Sequence, residues 1–145
     1  MPTNSSYVKN FSCFRDLTEE QQQAVSDLAT AVCYPEGYVL FEEGKAGEYL
    51  FLLASGKVEI LYQIGENNPA RVDLISREEI LACCTLVPPH IYTSTARCLT
   101  EVEVLEIESE ALRKLMREDC SLGFAIQQQV MQVLLDRVMD FRLGS

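Results

Sequence analysis

The chain has 145 residues, of which 48% are apolar and 23% charged. That suits one domain with a sizeable core and excludes wholesale disorder. Twelve Lys and Arg stand against 22 Asp and Glu, a formal charge of −10 spread along the chain, which excludes a nucleic-acid or anionic-membrane partner because phosphate binding needs clustered cations. No run approaches the ~18 apolar residues of a membrane span. Residues 1–10 are polar and contain no signal-peptide core, so a cytoplasmic protein is expected.

Residues 1–10 read as a loose lead, and Phe11, Phe14 and Leu17 as a short apolar patch. Thr18 and Gln21 form a capping box. The pattern behind it predicts a helix over 18–32, with Ala24, Val25, Leu28 and Val32 on one side. Pro35 ends that helix. Residues 35–108 then change to short strand-like runs: Tyr38–Phe41, Tyr49–Ala54, Lys57–Gln63, Arg71–Ile75, about Thr93–Leu99 and Val102–Ile107. Gly37, Gly44, Gly47, Ser55-Gly56 and Gly65–Pro69 punctuate them as turns. Short strands at this spacing predict a sandwich or a closed jelly roll. Glu101, Glu103, Glu106 and Glu108 read as a solvated strand face.

The region 109–142 turns helical again. Ser109 is the expected cap of a short helix over Glu110–Met116, and a longer helix runs over about Ser121–Phe141. Phe124, Met131 and Val138 are seven apart, as are Gln127, Leu134 and Phe141. Interleaved, the two series make a short a/d seam. Ile126, Val130 and Val133 mark a second apolar stripe. A helix with two apolar faces is expected to pack on its own domain and on the same helix of a second chain, as a homodimer.

The six cysteines, at 13, 33, 83, 84, 98 and 120, form no CxxC pair, and His90 is the only histidine. A zinc site of about four N/S ligands is therefore not expected. Most of the thiols read as reduced, buried small hydrophobes, ahead of a metal or disulfide framework. Both Ser/His/Asp and Cys/His catalysis would need His90, and no GxGxxG or GxxxxGK loop occurs, so an enzyme is not expected.

The run from Tyr34-Pro35-Glu36-Gly37 through Phe41 and Gly44 to Gly47, followed by Leu52-Leu53-Ala54-Ser55-Gly56-Lys57-Val58, resembles the first half of a cyclic nucleotide-binding domain. That family includes the sensor domains of catabolite-activator-type and fumarate-nitrate-type regulators. The resemblance extends over about Phe11 to Phe141. It implies one domain over 1–145, mainly β: an antiparallel jelly-roll β-barrel with an N-terminal helix and short and long C-terminal helices. It also implies a non-catalytic regulatory or sensor module.

The same resemblance places the ligand site at Ile80, Leu81, Ala82, Cys83, Cys84, Tyr92 and Thr93. The family's cassette has a Gly for close backbone approach, a Glu for the ribose hydroxyl and an Arg for the cyclic phosphate. Leu81, Ala82 and Tyr92 stand in their places here. Losing two or three bonds to charged groups forfeits roughly 3–9 kcal/mol, which weakens a micromolar ligand to roughly 0.1 mM or worse. Cyclic AMP and cyclic GMP are therefore disfavoured and no cofactor is expected. The apolar lining suits an uncharged or hydrophobic ligand, or a filled pocket.

Three other readings stay open. One is a cyclic-nucleotide receptor in which Arg71, Arg77 or Arg97, or main-chain N–H groups at Leu81–Cys84, substitute. Another is a ligand-free dimerisation or docking module. The last is a redox or haem sensor using Cys83-Cys84 or His90. No DNA-binding unit follows in the 145 residues, so the expected output is a protein effector or the dimer itself, with Glu118–Gly123 as the hinge.

Overall fold

The computed structural model describes residues 11–63, 69–76 and 79–144. A 3₁₀ turn at Ser12–Phe14 precedes helix α1, Glu19–Ser26. The capping box that starts α1 is present: Gln21 N–H donates to Thr18 Oγ1 at 3.1 Å, and Thr18 N–H to Gln21 Oε1 at 3.0 Å.

The helix expected over 18–32 stops at Ser26. Residues Ala29–Tyr34 form strand β1 instead. Thr30 and Val32 are β-branched, and the segment pairs residue by residue with Val102–Glu108, from Ala29 opposite Ile107 to Tyr34 opposite Val102. A six-residue antiparallel ladder satisfies the backbone and outweighs the weak helical periodicity.

The other strands are β2 (Val39–Phe41), β3 (Tyr49–Ser55), β4 (Val58–Gln63), β5 (Pro69–Ile75), β6 (Ile80–Leu81), β7 (Thr95–Cys98) and β8 (Val102–Glu108). They form two four-stranded antiparallel sheets, ordered β1-β8-β3-β6 and β2-β7-β4-β5. This is the expected jelly roll. Its β region begins at Ala29, six residues before the predicted start.

Strand β3 shows why the layers stack. Leu50 and Leu52 join one core cluster, with Phe11, Phe14, Leu112, Leu122 and Ile126. Phe51 and Leu53 join the other, with Phe41, Val58, Ala96 and Val104. Alternate side chains leave opposite faces of a strand. This sheet therefore meets helices on one side and the second sheet on the other. Strand β8 divides likewise, Val104 toward the sheets and Leu105 and Ile107 toward the helices.

The expected solvated glutamate face of β8 is correspondingly only half right. Glu101 and Glu108 are exposed, whereas Glu103 and Glu106 are half-buried and Glu106 accepts a hydrogen bond from the Tyr34 hydroxyl.

Helix α2 spans Ser109–Glu118 and α3 spans Cys120–Gly144. Glu108, not Ser109, holds the cap position of α2, because the Ser109 N–H is drawn to Glu48 O at 2.9 Å. The extended Asp119 (φ −118°, ψ 91°) separates α2 from α3 within the predicted hinge. Its Oδ1 accepts from Leu122 N–H at 3.1 Å, and its Oδ2 from Gln21 Nε2 at 3.2 Å. A Cβ on Gly123 would stand 2.5 Å from Met116 O, so glycine lets the two helices turn tightly here. Gly56 needs its own freedom at φ +96°, between β3 and β4.

Among the described residues no helix is long and apolar enough to cross a membrane.

Candidate functional site

The site grows from a turn that no strand or helix pattern announces. After β6, Ala82 adopts a left-handed conformation (φ 66°, ψ 36°), and the chain enters a 3₁₀ helix at Cys83–Leu86. Thr85 ties that turn, donating from its N–H at 3.1 Å and its hydroxyl at 3.0 Å to Ala82 O. The following loop holds a cis Pro88–Pro89 peptide and His90 at φ 58°.

His90 is half-buried, with Nδ1 3.0 Å from Thr85 O and its carbonyl accepting from Gly47 N–H at 2.8 Å. It braces the loop. A Cβ on Gly47 would stand 2.6 Å from Thr85 Cγ2, so only glycine admits this approach. Arg113 Nη1 donates to Thr85 O at 2.7 Å and fixes the same turn to α2.

A cavity of about 470 Å³ lies between β2, β4, β5, β6 and helix α3. Of the residues expected there, Leu81, Ala82, Cys83, Cys84 and Thr93 line it. Ile80 and Tyr92 do not. Ile80 points to the helix-side core, because it alternates with Leu81 along β6. The Tyr92 hydroxyl donates to Tyr49 O at 2.8 Å and accepts from Tyr49 N–H at 3.1 Å, while its ring stacks on Phe41 at 4.6 Å. Tyr92, which the resemblance sets at the Arg position, is thus engaged with the barrel.

Phe41, Ile60 and Ile75 were missing from the expected lining, and so was the α3 wall of Gln127, Val130, Met131, Leu134 and Arg137. The wall carries a signal: Val130, Leu134 and Arg137 stand at i, i+4 and i+7 of one helix, hence on one face. Arg137 is the one cation among the described lining residues. Its Nη2 donates to Glu79 Oε2 at 2.6 Å, with the side chains 34% and 37% exposed.

The arginines considered as substitutes fall elsewhere. Arg97 lies opposite Glu59 and donates to its carboxylate through Nε at 2.7 Å and through Nη2. Its neighbours Ala96 and Cys98 point into the core, so Arg97 faces away from the cavity. The Arg77 position and the Arg71 side chain lie outside the described residues.

All six cysteines are free thiols: Cys13 and Cys98 are buried, Cys83 and Cys84 half-buried, and Cys33 and Cys120 exposed. Burial pushes the Cys13 thiol up to about 12. Burial also raises Cys83, although the Arg137 guanidinium opposes it. Both favour the neutral thiol at pH 7. Among the described residues no three His, Cys, Asp or Glu are grouped to hold a metal ion.

The two stripes lie on different sides of α3, with Val133 of the second only half-buried. Ile126 and Val130 are buried against the domain, while Phe124, Met131, Leu134 and Val138 are exposed, at 67%, 61%, 43% and 53%. Gln127 is exposed too, and the Phe141 side chain lies outside the described residues.

Comparison with known proteins places this geometry. A solved structure from Geobacter metallireducens matches with a TM-score of 0.84 and 27% identity, covering 95% of this chain and 99% of that one. A cyclic nucleotide-binding domain from Methylobacillus flagellatus matches at 0.81 and 17%, covering 96% and 78%. The chain is 26% identical over 107 residues to a CRP-like cAMP-activated global transcriptional regulator of Mycobacterium tuberculosis. That alignment covers 74% of this chain and spans 46% of the regulator. The family model of the cyclic nucleotide-binding domain matches residues 31–119, and the chain belongs to that family.

Proposed function

We propose that this chain is a non-catalytic regulatory module that senses through the α3 cavity without the phosphate contacts of its family. One observation carries the reading. The one cation on the described cavity wall, Arg137, is held by Glu79, and Leu81, Ala82 and Tyr92 stand where the resemblance sets the Gly, Glu and Arg that meet the ribose and the cyclic phosphate. Tyr92 is taken up by Tyr49, and Arg97 by Glu59. The singly charged cyclic phosphate would enter a site where no described lining residue offers an uncommitted cation, at the cost of roughly 3–9 kcal/mol.

The output fits a second copy of the chain and a protein effector. The exposed a/d positions of α3 form an apolar strip, with Phe124, Met131, Leu134 and Val138 in coiled-coil phase. Met131 and Leu134 both line the cavity and lie on that strip. Occupancy of the cavity would therefore be felt where two chains meet. The formal charge of −10 fits a cytoplasmic protein and disfavours nucleic-acid contact by this domain.

The test is isothermal titration with cyclic AMP and cyclic GMP at millimolar ligand and fixed salt. No saturable heat is expected. Saturable binding near micromolar would overturn this reading.

A further inference from the structure

The cavity has a length, a polarity and a charge balance, and together they specify a class of ligand. Gln127 and Arg137 bound its α3 wall and are ten residues apart, which on a helix is about 15 Å. Between them the wall is Val130, Met131 and Leu134, and the facing barrel wall is Phe41, Ile60 and Leu81. The long axis is therefore apolar on both sides. The Cys83 thiol, raised by burial, adds no charge.

The end at Arg137 is different. Glu79 engages Nη2 of the guanidinium. A guanidinium carries five N–H donors and no acceptor, so this end offers donors while its net charge is cancelled. A ligand carboxylate there would stand beside the Glu79 carboxylate, and like charges at short range disfavour each other. The chain's formal charge of −10 adds to that bias against anions. A pure hydrocarbon would leave the guanidinium edge facing apolar atoms without a partner.

We infer that the cavity takes an uncharged, elongated, largely apolar molecule carrying one hydrogen-bond acceptor, with that acceptor set against Arg137. This rests on the reading above, that the cavity is a ligand site lacking the phosphate contacts. An alkyl chain of roughly ten carbons matches the length, and 1-decanol is the simplest probe of the class.

The experiment titrates the whole chain with 1-decanol, sodium decanoate and cyclic AMP at pH 7, by calorimetry. Decanol is expected to bind saturably below about 0.1 mM, and decanoate about tenfold more weakly. Arg137→Leu should weaken decanol about tenfold, the worth of one bond to a charged group. Glu79→Gln should bring decanoate level with decanol, because the like charge beside the guanidinium is gone. Thr93→Trp, a bulky change at an exposed rim position, should abolish binding without touching the core.

Three results overturn the inference: decanoate binding tighter than decanol to the wild type, no saturable binding of either, or decanol binding that Thr93→Trp leaves intact. The last would mean that alkyl chains coat the outer strip of α3. Micromolar cyclic AMP binding would instead overturn the reading on which the inference rests. Silence of cyclic AMP together with silence of both alkyl probes would sink the ligand class alone.

Discussion

Helix α3 has two apolar faces with opposite fates. Toward the domain, Leu122 and Ile126 are fully buried and Val130 nearly so. Away from it, Phe124, Met131, Leu135 and Val138 are more than half exposed. Both faces are built from the same kinds of residue. What separates them is phase: 122, 126 and 130 repeat every four residues and follow the helix onto the β3–β8 sheet, while 124, 131 and 138 repeat every seven and suit a straight partner helix. Composition tells that a helix is apolar all round. Only spacing separates the two faces.

The inner face should show the largest effect. Ile126→Ala opens a cavity under the helix and is expected to cost about 2–5 kcal/mol in urea unfolding. A loss below about 1 kcal/mol would mean that α3 is not anchored there. The outer face should behave in the opposite sense. Changing Phe124, Met131, Leu134 and Val138 together to Ser or Gln is expected to convert a dimer into a monomer in light scattering, with the fold retained. A quadruple variant that stays dimeric would remove the seven-residue strip from the interface.

The Cys13 thiol belongs to the same inner core as Ile126 and offers a pH readout of it. Burial raises it from the ordinary 9.0 to about 12. The unfolded chain therefore releases this proton first as pH rises. The stabilisation is whole below pH 9 and is lost from pH 9 toward pH 12, by about 1.4 kcal/mol per pH unit at most. Cys83, Cys98, Tyr34 and Tyr92 are raised as well and tilt the curve in the same direction. The difference between wild type and Cys13→Ala isolates the one thiol. Parallel stability curves between pH 8 and pH 11 would show that water reaches Cys13, and that the inner face is less dry than the packing of α3 requires.

The contrast between the faces also marks what the residues alone disclose. The jelly roll was legible because glycines at 37, 44 and 56 occupy positive-φ corners that other residues adopt only with strain. The two C-terminal helices were legible because helical spacing is a one-dimensional signal. Strand β1 was missed because Val25, Leu28 and Val32 keep a helical spacing across Asp27, and only pairing with β8 decides otherwise. The cavity was half legible. Leu81 to Cys84 are contiguous and Thr93 follows in the next loop, whereas Ile60, Ile75 and Arg137 reach the cavity from remote strands and a helix. Tyr92 was misplaced because a tyrosine hydroxyl finds whichever backbone lies near, here that of Tyr49.

The Arg137–Glu79 pair, on the cavity wall of α3, should have the smallest effect on stability. Both side chains are about one third exposed. Water screens such a pair, and ordering two long side chains offsets most of its attraction. A double-mutant cycle of Arg137→Leu and Glu79→Gln, followed by urea unfolding, is expected to give a coupling below about 1 kcal/mol. That smallness has a functional consequence. A pair that contributes little to the fold is free to open, so the guanidinium turns toward an occupant of the cavity at little expense to stability. A coupling above about 2 kcal/mol would make the pair a structural clamp. The charge on that wall would then be locked, and ligand selection would fall to the apolar length of the cavity alone.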